Sequence, residues 1–380
     1  MNKLRLHGKE IVTGPGSLNY LQNLNFKKYI IVTGQSSMFK NKTIDRIVDI
    51  LKNKDASYTI FSGIGANPDT DTVLTGVEEF KKFEPECVIC VGGGSAIDAA
   101  KVMTLMYEYP QLDFINIKSD ILDMERKKTT LIAIPSTAGT GTEVTKTAVI
   151  TFNDINLKIG LKSYAFIPDV AILDGEITLS MPKSVVAHSG MDALTHAVEC
   201  YINHNLEEFS EALCAGAIQG LFKYLPKSYS KGDITSRQKV LTYQSMAGSA
   251  FHNIGLGMDH GISHAFGGKY GYGHGLLNAV GLPYVLKYNS RDNKVKEKLD
   301  RLAKLINVDD FIEAIKQLNS TLNIPSSFKE MGITEEDYLH DFEELLNNSL
   351  LGSTKSNPVP MTKVEMRKVL DSIFYGEIRF

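Results

Sequence analysis

Asp192 and His196 lie four residues apart within Gly190-Met191-Asp192-Ala193-Leu194-Thr195-His196. On a helix that spacing puts both side chains on one face, where they can converge on a single ion. His260 and His264 repeat the spacing within Met258-Asp259-His260-Gly261-Ile262-Ser263-His264, and His274 follows between Gly273 and Gly275 in what reads as a glycine-flanked loop. A mixed imidazole and carboxylate set suits a borderline divalent metal, iron(II) or zinc. One such pair alone is more often ordinary helix surface or core. Glycines at 255, 257, 261, 267, 268, 271, 273 and 275 crowd the second group. Each costs about 1 kcal/mol in a helix interior, so their density implies an irregular loop or a close approach of backbone to a ligand or a second element.

A different chemistry is written earlier in the chain. Gly92-Gly93-Gly94-Ser95 follows an apolar run, CVICV at 87–91, and precedes a helical pattern over 96–107. Glycine lets backbone approach a ligand closely, and the helix start offers free N–H groups to a pyrophosphate. The motif is neither GxGxxG, since position 97 is Ile, nor a Walker A sequence. Pro135-Ser136-Thr137-Ala138-Gly139-Thr140-Gly141-Thr142 is a second strand-end loop, with four hydroxyls. Two such loops at the carboxyl edge of an open sheet point to a dinucleotide.

The elements that must carry these residues alternate in the first half. Residues 28–33, 58–61, 87–91 and 131–134 read as strands, with helical patterns over 38–52, 71–83 and from 95. That rhythm predicts a parallel sheet flanked by helices. Residues 148–152 and 157–161 predict a hairpin turning at 153–156. Beyond 174 helical patterns take over, at 184–201, 209–224, 237–252 and 295–305, with a boundary near 175–184 at Gly175 and Pro182. The expected architecture is an α/β dinucleotide-binding domain over 1–180 followed by an all-α metal and catalytic domain over 181–380.

Composition narrows the class. Lys plus Arg is 41 against 44 for Asp plus Glu, a balance that does not favour nucleic acid or an anionic membrane as partner. Four cysteines in 380 residues are too few for a disulfide framework. No leader-like segment or membrane span is evident, so a cytoplasmic protein is expected. Cys87-Val88-Ile89-Cys90 has CxxC spacing, but in a strand its thiols point to opposite faces.

Together GGGSAIDAAK (92–101), IPSTAGTGTEVT (134–145), GMDALTHAVE (190–199) and HGISHAFGGKYGYGHG (260–275) resemble the iron-containing, group III alcohol dehydrogenases. The resemblance implies a small alcohol or aldehyde substrate, a nicotinamide cofactor and one metal held by Asp192, His196, His260 and His274. It implies that His264 passes protons to or from the alcohol. It places Gly93, Gly94, Ser95 and Asp98 along the pyrophosphate and nicotinamide, and lines the cofactor with Ser136, Thr137 and Thr140. It sets Lys158 at the ribose and Asn67 near the adenine. Many NAD-using members carry an Asp at the end of the strand before Gly34; here the run is Val32-Thr33-Gly34-Gln35-Ser36-Ser37. With that carboxylate missing, Gly34 and Ser37 leave room and a hydroxyl for a 2′-phosphate, so NADP is favoured and NAD is the alternative. The full histidine set favours iron(II), with zinc as the alternative. A zinc-dependent, glycerol-dehydrogenase-like polyol oxidation and a non-catalytic nucleotide-binding protein are the rival readings. A homo-oligomer is expected, by resemblance.

Overall fold

The computed structural model describes residues 3–118, 121–155 and 157–380. The chain divides into two compact units, Met1–Met181 and Pro182–Phe380.

In the first unit the strands are β1 (Glu10–Thr13), β2 (Lys28–Gly34), β3 (Ser57–Ile64), β4 (Cys87–Gly92), β5 (Thr130–Pro135), β6 (Thr147–Phe152), β7 (Leu157–Lys162) and β8 (Val170–Leu173). The helices are α1 (Ser37–Lys40), α2 (Thr43–Lys52), α3 (Thr70–Phe83) and α4 (Gly94–Glu108). Six strands form a parallel sheet in the order β1-β8-β5-β4-β2-β3. β3 adds on one side of β2 and β4 on the other, so the order reverses between β2 and β4, where open α/β sheets bind ligands beyond the carboxyl ends of their strands.

Period-two alternation builds a core on each face of the sheet. Ile30, Val32, Val88, Cys90, Leu131 and Ala133 enter one cluster, with residues of α3 and α4. Tyr29, Ile31, Cys87, Ile89, Ile132 and Ile134 enter the other, with residues of α2. Cys87 and Cys90 thus sit on opposite faces, both buried and free, and burial pushes the Cys90 thiol up to about 12.

Two features depart from the sequence pattern, and the expected hairpin forms. The helix expected over 38–52 is broken: Lys42 takes a left-handed conformation (φ 61°), and the Asn41 side chain accepts from the Thr43 amide at 3.1 Å, restarting the chain as α2. The four-residue strands β1 and β8 carry no readable alternation, yet they pair in parallel and extend the sheet. The hairpin β6–β7 pairs antiparallel from Thr147 and Lys162 to Phe152 and Leu157. Of its expected turn, Asn156 lies outside the described residues.

The second unit is helical: α5 (Lys183–Ile202), α6 (Glu208–Ser230), α7 (Ile234–Ile254), α8 (Met258–Tyr270), α9 (His274–Asn289), α10 (Asn293–Ile306), α11 (Phe311–Thr321), α12 (Glu335–Ser349) and α13 (Lys363–Tyr375). α5 packs against α6, α7 and α9, and α8 against α9 and α12. No helix is long and apolar enough to cross a membrane among the described residues.

Candidate metal centre and nucleotide-binding edge

α5 presents Asp192 and His196 from its buried middle, and α8 presents His260 from its first turn. Ligand atoms of these three side chains all lie within 4.8 Å of one another. His260 Nε2 is 3.7 Å from Asp192 Oδ1, and His196 Nδ1 is 4.0 Å from Asp192 Oδ2. His274 reaches Asp192 Oδ2 with Nε2 at 3.4 Å while its side chain stays 44 % exposed. It is the first residue of α9, not part of a loop, because the chain turns in only three residues, Gly271–Gly273, after α8. Gly275 lets α9 approach α5, and Gly261 lets α8 lie against the segment that carries Thr354. A Cβ on Gly275 would lie 2.6 Å from the His188 carbonyl oxygen of α5, and one on Gly261 would lie 1.9 Å from Thr354 Oγ1.

The His196 ring stacks between Phe251 (centroids 4.3 Å apart, 13°) and His260 (4.5 Å, 25°). His264, one turn after His260, is exposed, its ring centroid 6.1 Å from those of His260 and His274.

The electrostatics favour a cation. Burial would raise the Asp192 carboxyl, but the surrounding imidazoles of His196, His274 and His260 bring it well below its ordinary value. Burial opposes charge on His260, yet its contacts with Asp192 and Glu199 hold it up at about 10. Positive charge on the His260 ring is therefore stabilised by the carboxylates beside it. One carboxylate and several imidazole nitrogens, buried and convergent, fit iron(II) or zinc; calcium or magnesium would call for an oxygen-rich set.

The other sequence candidates gather at the carboxyl edge of the parallel sheet. Gly93 is the N-cap of α4, with Gly94 and Ser95 in its first turn. Ser136 donates its amide to the Gly92 carbonyl at 2.8 Å, joining the two loops. A Cβ on Gly93 would lie 3.7 Å from Thr137 Oγ1, and one on Gly94 would lie 2.9 Å from Thr140 Cγ2. Gly34 ends the neighbouring strand β2, and Ser37 is exposed at the start of α1. Ser95 Oγ donates to the Ala66 carbonyl at 2.6 Å, drawing in the exposed loop that carries Asn67. The Thr151 amide donates to the Pro68 carbonyl at 2.9 Å, and Lys158 is its cross-strand partner. Burial lowers the Lys158 ammonium.

Asp98 faces inward. It accepts from Thr142 Oγ1 at 2.5 Å and from the Val149 amide at 3.0 Å. Beside it lies Lys101, fully buried, donating to Thr142 Oγ1 at 2.7 Å, to the Thr145 carbonyl at 3.0 Å and to the Thr147 carbonyl at 2.8 Å.

Sequence reasoning passed over Glu199, Asn278, Phe251 and Lys101. Glu199 accepts from His260 Nδ1 at 2.6 Å, and Asn278 Nδ2 donates to Asp192 Oδ1 at 2.8 Å and reaches His260 Nε2 at 3.1 Å. The signal was available: Glu199 is seven residues after Asp192 and Asn278 four after His274, each on the same helix face.

Residues 8–175 match the family model described as iron-containing alcohol dehydrogenase, and residues 186–374 match that of the C-terminal part of the Fe-containing alcohol dehydrogenase family. An NADPH-dependent butanol dehydrogenase of Clostridium saccharobutylicum is 38 % identical over 97 % of each chain. An iron-containing alcohol dehydrogenase from Thermococcus thioreducens superposes with a TM-score of 0.91 at 31 % identity, covering 99 % of this chain and 100 % of its own. A 1,3-propanediol oxidoreductase gives 0.91 at 28 % identity over 98 % of this chain and 100 % of its own.

Proposed function

This chain belongs to the iron-containing alcohol dehydrogenases, and from that premise we propose that it interconverts a small primary alcohol and its aldehyde with NADP and one iron(II) ion held by Asp192, His196, His260 and His274. Membership in the family makes it an oxidoreductase that works on alcohols and aldehydes with a nicotinamide cofactor. The observation that carries the metal assignment is the convergence of ligand atoms of Asp192, His196 and His260, all three buried, within 4.8 Å of one another.

When bound, the nicotinamide takes or returns the hydride and the cation draws electron density from the substrate oxygen, worth several kcal/mol of charge stabilisation. The chain's own residues do the remaining work. Asp192 supplies one negative charge to the ion and the imidazoles supply neutral nitrogens, which leaves the dication's polarising power largely intact. His264, exposed one turn from His260, carries the alcohol proton on a ring nitrogen. The first-turn amides of α4, with Ser95, Ser136, Thr137 and Thr140, bind the pyrophosphate, and Asn67 and Lys158 meet the adenosine side. Asp98 acts through its bonds to Thr142 and Val149, which hold the hydroxyl-rich loop in place.

NADP is preferred because the exposed run Gln35-Ser36-Ser37 after β2 offers hydroxyls and no repelling carboxylate. The NADPH-dependent relative supports the same choice. Four buried free thiols suit a reducing cytosol, and a homo-oligomer is expected.

Stripping the protein with a chelator, reloading it with iron(II) or zinc and assaying a panel of alcohols and aldehydes with both cofactors tests the proposal. Activity is expected to vanish on stripping, return with iron(II) and run faster with NADP. Undiminished alcohol oxidation by the stripped protein would contradict the metal assignment.

A further inference from the structure

Glu199 lies on α5, two turns beyond Asp192, and is 2 % exposed. Its Oε2 is 2.6 Å from His260 Nδ1, and its Oε1 accepts from the Asp259 backbone amide at 2.8 Å. A Cβ at position 257 would come within 2.8 Å of Oε1, so Gly257 leaves the carboxylate its place. On the far side of the ring, Asn278 Nδ2 sits 3.1 Å from His260 Nε2 and donates to Asp192 Oδ1 at 2.8 Å.

We propose that Glu199 is a positioning residue for the metal: by accepting N–H groups from both His260 and Asp259, it fixes the tautomer and aim of the ring so that Nε2 presents its lone pair to the cation. The inference rests on the metal assignment made above. A carboxylate is acceptor-only, so the ring nitrogen facing it must carry hydrogen, and the other nitrogen of the neutral ring is then the ligand. The same carboxylate anchors the start of α8 through Asp259, so the ring and the backbone that carries it are placed by one group. Asn278 complements this at Asp192: it donates to Oδ1 at 2.8 Å, while Oδ2 is the oxygen that His274 Nε2 approaches at 3.4 Å.

Glutamine at position 199 keeps the shape but not the acceptor count. A carboxamide offers one oxygen and one NH2, so it cannot accept from both the Asp259 amide and the His260 ring. Either the first turn of α8 loses a partner or the imidazole takes the other tautomer and puts a hydrogen where the metal belongs. Removing such an outer partner typically weakens metal binding by about 10- to 100-fold.

The test is zinc titration of metal-stripped wild type, Glu199→Gln and Asp192→Asn by calorimetry, with the melting temperature of each protein read with and without zinc. We expect Glu199→Gln to bind about 10- to 100-fold more weakly than wild type and to gain less melting temperature on loading. A purely structural role would lower the metal-free melting temperature and leave the dissociation constant unchanged, and that result would overturn the proposal. Should the variant fold poorly, long-range proton–nitrogen correlation spectra of zinc-loaded wild type, labelled with nitrogen-15 at histidine, answer the same question. The proposal requires hydrogen on His260 Nδ1 and zinc on Nε2, and the reverse assignment overturns it. Wild type that binds zinc no better than Asp192→Asn would sink the metal assignment itself, whereas tight and equal binding by wild type and Glu199→Gln would sink only the role given to Glu199.

Discussion

The proposed metal centre and the proposed nucleotide edge are built from opposite materials. At the centre the candidate donors are side chains, one carboxylate and two imidazoles buried on α5 and α8, with the half-exposed His274 of α9 beside them. At the carboxyl edge of the sheet the donors are backbone amides and small hydroxyls, and the characteristic residues are those that stay out of the way, Gly93 and Gly94. A site of side chains depends on residue identity, and changing one charge destroys it. A site of backbone depends on the scaffold, so its weak points lie behind the loops rather than on them. Lys101 is such a point: it touches only protein, yet it ties α4 to Thr142 and Thr145 and to Thr147 at the start of β6.

The largest effect is expected at the centre. Asp192→Asn keeps the volume and removes the charge that three imidazoles surround. Losing a Lewis-acid contribution of several kcal/mol corresponds to roughly a 10³-fold fall in kcat/KM, measured with iron(II) present and with circular dichroism to show the fold intact. A fall below about tenfold would mean that the two regions do not differ as described.

Lys101→Met should act on stability instead. Four oxygen acceptors lose their donor, which costs about 2 kcal/mol, read as a shift in urea midpoint, with nucleotide affinity falling because the hydroxyl loop loosens. The effect has a pH signature. Burial brings the Lys101 ammonium from 10.5 down to about 8, against the pull of Asp98. Between about pH 8 and 10.5 the unfolded chain therefore holds more protons at this group than the folded one, and its contribution to stability rises with pH. Below 8 both states hold the proton and the contribution is flat. The stability of wild type relative to Lys101→Met should thus widen from pH 8 to 10.5; a constant difference would show that the fold leaves this ammonium with the proton affinity it has in the unfolded chain.

The smallest change probes cofactor choice at the edge. Ser37→Asp places a carboxylate beside the end of β2, where it would repel a 2′-phosphate and accept from a 2′-hydroxyl. The ratio of kcat/KM for NADP over NAD should fall by about tenfold, or about 1.4 kcal/mol, with little change in melting temperature. An unchanged ratio would place the 2′ position elsewhere on the edge.

The sequence carried the fold class because both periodicities are strong. Short β-branched runs such as KYIIVT and CVICV, each ending at a glycine, read as buried strands, and the helical patterns after 174 leave no comparable strand run. It carried the candidate ligands because aspartate and histidine four apart on a helix share a face whatever the helix packs against. It did not reveal β1 and β8, since four residues are too few to show alternation; their pairing is set by neighbours. Nor did it reveal the break at Asn41-Lys42, where one side-chain bond to Thr43 outweighs a continuous apolar pattern.

Residue type and local spacing thus determined which atoms are available: a parallel sheet with glycine turns at its edge, and carboxylate and imidazole donors on helices. The tertiary structure alone decided how they are deployed. Whether His260 offers Nδ1 or Nε2, whether Asp98 faces a ligand or Thr142, and how closely α9 approaches α5 across Gly275 depend on neighbours dozens of residues away. Hydrogen bonds and van der Waals contacts act over a few ångströms of space, and distance along the chain does not measure that space.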